Sequence, residues 1–284
     1  MKVVEKAPAK INLGLDTPYH HRDGTLEWNM VMTSVDLADY VEIATEPKHP
    51  RIRVFTDSGF LPNDQRNLAY QAARVLQTRF HIHEGVTIRI QKRVPVAAGL
   101  GGGSSDAAAV LRGLNNLWQL GLSLAELAVI GLEIDSDVPY CVYGCIAHVQ
   151  GRGEIITPLP KLPPMWIVLA KPKISVSTPG ILRRVDYQTL EHPDIAGLLT
   201  GIRDQDLPQV FATMGNALEP ITANRFPEIS HIKTKMLNFG ASAAQMSGTG
   251  PTLFAVCDKQ SRAQRMVNSI RGFCHEVYLV RPLS

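Results

Sequence analysis

Four glycines within five positions, Gly99, Gly101, Gly102 and Gly103, are followed at once by Ser104, Ser105 and Asp106 and then by an alanine-rich apolar run. That order constrains the chain more than any other stretch, because it describes a loop that delivers the backbone into a helix. Glycine permits positive φ and close backbone approach, and a Ser or Asp at a helix start accepts the free amide hydrogens of the first turn. Unpaired N–H groups and the positive end of the helix dipole then converge on one point, which is how a backbone holds phosphate. A flexible Gly/Ser linker is the competing reading, but a linker has polar flanks. Here residues 94–98 and 107–117 are apolar.

The two best-known phosphate loops do not fit. A Walker A loop needs GxxxxGK[ST], and no Lys follows these glycines; a dinucleotide fingerprint needs G-x-G-x-x-G, and Ser104 stands where its last glycine belongs. The cradle is therefore of another kind.

A chain of 284 residues is long enough for one large or two moderate domains with substantial cores. Its 45% hydrophobic and 19% charged residues are those of an ordinary soluble globule, and a net charge of +3 without a Lys/Arg block points away from nucleic acid. The four cysteines, Cys141, Cys145, Cys257 and Cys274, lack CxxC spacing and lie in apolar segments, so buried free thiols are expected rather than disulfides or a metal site. No leader-like apolar run opens the sequence and none approaches the ~20 residues of a membrane span, so a cytoplasmic protein with no membrane partner is expected.

In chain order, residues 2–5 and 7–15 alternate as strands. Ile11, Leu13 and Leu15 fall on one face and Lys10, Asn12 and Gly14 on the other, so Lys10 and Asn12 project together. From the segment alone, Lys10 is either a solvated edge charge or a site residue. Residues 20–24 read as a turn; 28–37, 39–44 and 51–56 read as strands. Leu68, Ala72, Val75, Leu76 and Phe80 repeat at helical spacing, with Asn67 as the N-cap. Residues 86–92 alternate as a strand whose last residue, Lys92, leads into the glycine loop. Helices are expected over 107–117 and 123–134, the second opened by a Ser123/Glu126 capping box.

Residues 135–139 read as a turn into an apolar strand over 141–149. There Asp137 is either a turn Asx cap or a general base, and Asp135 competes with it for the second role. Four prolines within residues 158–164 look like a hinge. Beyond it, strands are expected over 166–170, 243–246, 252–258 and 276–281. Helices are expected from 180 and over 195–202, 207–214, 229–240 and 264–271, with Gly240 a C-cap. The turn 247–251 is either a plain loop or part of a site. Strands come first and helices follow without a regular βαβ repeat, so the fold class is α+β with two domains.

Three stretches carry a resemblance: residues 95–105 with the glycine loop, APAKINL at 7–13 and MSGTGPTL at 246–253. In that order they resemble the motifs of the GHMP superfamily of small-molecule kinases, and APAKINL, GLGGGSSDAA at 99–108 and SDVPY at 136–140 are most similar to its cytidyl-erythritol branch. The resemblance implies an N-terminal ribosomal-S5-like domain over 1–158, a ferredoxin-like C-terminal domain over 159–284, and an active site between them. It implies ATP as phosphoryl donor with Mg²⁺, Lys10 and Asp137 as catalytic residues, and Asn67, Lys92, Pro95, Gly99, Leu100, Gly101, Gly102, Gly103, Ser104 and Ser105 about the nucleotide. Ser105 would also reach the metal.

The partner implied is a small-molecule alcohol, a cytidine diphosphate derivative, bound by a monomer or homodimer. Asn12, Thr25, Leu26, Leu182, Gly248 and Thr249 would line its site. Three of these depart from the branch: relatives place Tyr-His where this chain has Thr25 and Leu26, and commonly an aromatic at Leu182, all against the cytosine ring. The departures leave open a diverged kinase for another alcohol, and beyond it a non-catalytic nucleotide-binding protein.

Overall fold

The computed structural model describes residues 1–47, 49–274 and 276–283, which divide into two compact units. The first comprises residues 1–9, 37–96 and 101–144, the second 10–36, 97–100 and 145–284. Two long strands, β1 (Lys2–Asp16) and β2 (Trp28–Glu46), contribute to both units. Each had been expected as two shorter strands. Residues such as Gly14 and Asp36 weaken the local pattern, yet β1 is buried without interruption from Lys10 onward, and ladder pairing carries the chain through.

In the first unit, β4 (Gly85–Gln91) lies between the second half of β2, to which it is antiparallel (Tyr40 opposite Gln91), and β3 (Ile52–Thr56), to which it is parallel. Helix α1 (Leu68–Arg79) begins where expected, with the Asn67 side-chain oxygen Oδ1 accepting from the Ala69 amide at 2.9 Å. It packs on α2 (Gly102–Leu117) and on β3. Gly113 lets α2 approach the strands, because a Cβ there would lie 2.3 Å from Ile43 Cδ1. Helix α3 (Leu124–Leu132) carries the expected capping box and packs on α4 (Val138–Tyr143).

Helix α4 corrects the expected strand over 141–149. Pro139 stands in its first turn, where a fixed φ suits a helix and no amide donor is needed. Gly144 then closes it with φ of 60°. Only Ala147–Gly151 is extended, as β5.

In the second unit, β5 pairs with the first half of β2, Trp28 opposite Gly151, and forms a hairpin with β6 (Ile155–Pro158), which the sequence pattern did not signal. Strand β7 (Trp166–Lys171) opens a four-stranded antiparallel sheet. Between it and the next strand of that sheet come α5 (Thr178–Leu182), α6 (Ile195–Arg203), α7 (Leu207–Thr213), the short β8 (Gly215–Asn216) beside the end of β1, α8 (Glu219–Arg225) and α9 (Glu228–Asn238). Strands β9 (Ala243–Met246) and β10 (Leu253–Cys257), helix α10 (Gln260–Ile270) and β11 (Glu276–Val280) complete it.

The sheet order β11-β7-β10-β9 is that of a ferredoxin-like fold, with α9 and α10 packed on the sheet. Ile229, Ile232, Met236, Met266, Val267 and Ile270 of the helices bury against Val168, Ala170, Leu253 and Ala255 of the strands. Apolar area removed from water at ~25 cal/mol per Å² is the main source of stability in such a layer. The α+β expectation holds.

Candidate active site

The glycine loop is wound by three left-handed residues, Ala97 (φ 51°), Gly99 (φ 73°) and Gly101 (φ 66°). Helix α2 starts at Gly102, earlier than the sequence pattern placed it, and its cap residue Gly101 offers no side-chain oxygen. The expected Ser or Asp cap is therefore corrected: Ser104 and Ser105 lie inside the first turns. The Ser105 amide bonds the Gly101 carbonyl at 2.8 Å, whereas the amides of Gly102, Gly103 and Ser104 precede any intrahelical acceptor. Gly103 is exposed and Gly101 and Gly102 are half-exposed, so an anion can reach these donors.

The hydroxyls about this turn are placed differently. Ser104 Oγ donates to Asp135 Oδ1 at 2.8 Å, and the same oxygen accepts the Asp137 amide at 3.1 Å. Asp135 thus makes the Asx turn that had been one reading of Asp137, while Asp137 stands before α4 with no side-chain cap bond. Ser105 Oγ is buried with no hydrogen-bond partner among the described residues, which is how a hydroxyl kept for a hard cation looks. It fits Mg²⁺ carried on a nucleotide, since that ion takes few protein ligands and keeps phosphate oxygens and water.

Two other expected nucleotide residues have protein partners. The Asn67 amide nitrogen donates to the Pro62 carbonyl at 2.9 Å while its oxygen caps α1. Lys92 lies between Asp39 and Asp106 at 2.5 and 2.8 Å. Burial opposes its charge, but the Asp106 and Asp39 carboxylates more than offset this and raise its pKa above the ordinary lysine value. Pro95, at the loop's start, is buried.

The second unit gathers the remaining groups. Lys10 is 4% exposed, not a solvated edge charge, and its ammonium donates to Asn12 Oδ1 at 3.0 Å. The Lys10 amide bonds the Leu100 carbonyl at 2.9 Å, which ties β1 to the loop. Gly99 meets the turn 247–251: Ser247 Oγ donates to the Gly99 carbonyl at 2.9 Å, and a Cβ on Gly99 would lie 2.5 Å from the Ser247 carbonyl oxygen. Gly248 faces the same cluster, its would-be Cβ 3.6 Å from Lys10 Nζ and 3.7 Å from Asn12 Oδ1.

Sequence reasoning missed Asn216, whose amide donates to both the Met246 and Gly248 carbonyls at 2.8 Å and so fixes that turn. Thr249 is held through Thr178 Oγ1 at 2.8 Å. Thr25 bonds Asp23 in an exposed turn, Leu26 bridges His20, and Leu182 is half-buried at the end of α5. Trp28 pairs with Gly151 within the sheet. An aromatic group exists nonetheless: His20 and Tyr187 meet edge to face at 5.4 Å, with the Tyr187 hydroxyl 3.1 Å from Thr17 Oγ1. Tyr187 lies far from His20 in sequence, and no spacing rule connects them.

Comparison with known proteins agrees with this arrangement. The model of the GHMP kinases N terminal domain matches residues 67–145, and that of the GHMP kinases C terminal matches 198–276. The chain is 73% identical to a 4-diphosphocytidyl-2-C-methyl-D-erythritol kinase of Levilactobacillus brevis, with all of both chains covered. It is 67% identical to the protein of the same description from Lactiplantibacillus plantarum, over 100% of this chain and 99% of the other. A crystal structure of a 4-(cytidine 5'-diphospho)-2C-methyl-D-erythritol kinase superposes with a TM-score of 0.82 at 29% identity, covering 99% of this chain and 100% of that one. A homoserine kinase from Cytophaga hutchinsonii shares the fold at a TM-score of 0.79 and 21% identity, over 98% of this chain and 94% of the other. Glycine loop, buried Lys10 and ferredoxin-like sheet thus have one explanation: the chain belongs to the GHMP kinases.

Proposed function

We propose that the chain transfers the γ-phosphoryl group of ATP to the 2-hydroxyl of 4-diphosphocytidyl-2-C-methyl-D-erythritol, a step of non-mevalonate isoprenoid precursor synthesis. The observation that carries the donor half is the first turn of α2, opened by a left-handed glycine, uncapped by any side chain and accessible. The acceptor half rests on the full-length likeness to proteins described as kinases of that alcohol. At 73% identity a different alcohol is not favoured, and a non-catalytic protein would have no use for Lys10 and Asp137 together.

Phosphoryl transfer asks a protein mainly for positioning and for cancellation of charge on the moving group. The amides of Gly101, Gly102, Gly103 and Ser104, in the loop continued from Gly99 and Leu100, hold the phosphates. Asn67, Lys92 and Pro95 shape the nucleotide end. Mg²⁺, when bound, neutralises phosphate charge, and Ser105 Oγ is the hydroxyl that would hold it. Asp137 takes the proton of the acceptor hydroxyl, and Lys10, oriented by Asn12, steadies developing negative charge. Gly248 and Thr249 line the acceptor.

Thr25, Leu26 and Leu182 border the pyrimidine, and the ring faces that relatives draw from those positions come here from His20 and Tyr187. We assign residues 1–158 to the nucleotide-binding domain and 159–284 to its C-terminal partner, by sequence family rather than compactness. Among the described residues no helix is long and apolar enough to cross a membrane, and we place the enzyme in the cytoplasm, where its ATP is.

ADP release measured against the cytidyl-erythritol diphosphate, mevalonate and homoserine tests the assignment. Turnover on the first alone is expected. Turnover on another member of the panel would displace the acceptor, and tight ATP binding with no turnover on any would displace the reaction. In the same assay Tyr187→Ala should raise KM for the alcohol about tenfold, the order of one lost stacking contact, with KM for ATP unchanged.

A further inference from the structure

The stretch that leaves β7, the start of α9 and the turn after α10 enclose a cavity of about 670 Å³, lined by Lys173, Ile174, Pro227, Ile232 and Phe273 among others. None of its lining residues belongs to the glycine loop, to the Lys10 cluster or to the turn 247–251. A space of that size takes a small organic ligand. Ile232 is 4% exposed and belongs to the core between sheet and helices, and Ile174 packs against that core, so part of the lining is fixed and apolar. Phe273 is different, because 55% of it is exposed. His231 meets its ring edge to face at 6.3 Å, and Lys235 Nζ stands 5.4 Å from the ring centre. A ring left open in a concave setting gains most from a second ring laid against it.

The charges narrow the occupant further. Lys173 lines the cavity, Lys235 flanks Phe273, and Glu228 is the carboxylate of the lining. Among the described residues none of the three has an ion-pair partner. Two ammonium groups against one carboxylate leave a single positive charge, which matches one negative charge on a ligand and suits a polyphosphate poorly.

Two lining segments also lead to the turn 247–251. Thr178, a few residues beyond Ile174, shares a hydrogen bond with Thr249 Oγ1 at 2.8 Å. Thr222 of α8, shortly before Pro227, donates to the Thr249 carbonyl at 3.2 Å. Thr249 is thus held from both sides by chain that continues into the cavity.

We propose that this cavity is a second ligand site, for a small aromatic molecule carrying one negative charge, and that its occupancy is transmitted through Thr178 and Thr222 to Thr249. The transmission rests on the reading that Thr249 lines the acceptor.

Fluorescence titration with anilinonaphthalene sulfonate, an aromatic dye with one sulfonate, is compared for wild type, Phe273→Ser and Lys173→Glu. Wild type should bind one equivalent saturably and keep it in excess ADP. Both replaced side chains are exposed, so the variants should retain wild-type Tm and dye-free kcat, while Kd for the dye rises about tenfold. Saturating dye should change KM for the alcohol about fivefold in wild type, with KM for ATP unchanged, and should have no effect on Phe273→Ser.

Displacement of the dye by ADP, wild-type dye affinity in either variant, or a KM for the alcohol indifferent to the dye overturns the proposal. A wild-type dimer in sedimentation that Phe273→Ser abolishes overturns it too, by making the cavity an interface between copies. Should Phe273→Ser fail to fold, Lys173→Glu decides alone: weaker dye binding supports the proposal and wild-type binding defeats it. Dye binding needs no turnover, so a wild type inactive on every alcohol of the panel displaces the acceptor assignment and leaves the site to be judged by the titration.

Discussion

Asp135 and Asp137 are two residues apart, and the first of them is the one whose side chain builds the turn. Asp135 Oδ1 is engaged by Ser104 and by the Asp137 amide, a turn-building use that a neutral amide oxygen would also serve. Asp137 has no cap bond to supply. Replacement by Asn keeps the shape of either residue and removes basicity. Asp137→Asn should therefore lower kcat by about 10²- to 10⁴-fold, the range for a lost general base, while ADP affinity stays within about twofold. Asp135→Asn should retain most turnover, and comparable activity in the two variants would remove the base assignment. The backbone at Gly99 is as strict as that chemistry. A Cβ there would meet two carbonyl oxygens at 2.5 and 2.9 Å with φ at 73°, so Gly99→Ala should cost about 2 kcal/mol in urea unfolding. Cys257 makes a different point. Burial pushes its thiol up to about 11, so a thiolate-selective reagent at pH 8 should label it only after denaturation.

Elements were legible where the signal is local. Ser123 and Glu126 announce α3 within four residues, and the structure shows both halves of the reciprocal cap. Ser123→Ala should lower stability by about 1 kcal/mol by denaturant titration, with the m-value unchanged. Asn67 likewise marks the start of α1, because cap and helix are contiguous. Where the deciding partner is distant, pattern reading fails. The apolar run from Cys141 looks like a strand until Gly144, whose left-handed φ divides it into the end of α4 and the start of β5. Helix α8 opens with Glu219-Pro220 and has only Thr222 buried, so it carries no periodic stripe to detect. Lys92 was visible as a charge before the loop, but its partner Asp39 lies 53 residues earlier, and no spacing rule pairs them. Asn216 reaches carbonyls 30 and 32 residues away and was invisible for the same reason.

At the scale of the molecule, the ferredoxin-like sheet was implied by motif likeness and not by periodicity: its four strands are spread over some hundred residues, with β9 and β10 ordered only by their antiparallel partners. What the whole chain gains from its anion site is a link between ligand and stability. A ligand that binds the folded state alone adds about 2.7 kcal/mol at a concentration of 100 Kd. Gly103 offers a way to separate the two, because it is exposed, lies in the first turn of α2, and a Cβ there would meet only Leu68 Cδ1 at 3.5 Å. An acidic side chain at a helix N-terminus is favourable by a few tenths of a kcal/mol to about 1 kcal/mol in the absence of ligand. The same carboxylate would occupy the space and cancel the field that phosphate needs. Gly103→Asp should therefore unfold at a temperature equal to or above wild type when free of nucleotide, yet lose the upward shift that ADP gives wild type. A variant still stabilised by ADP would show that the phosphates bind elsewhere than at the first turn of α2.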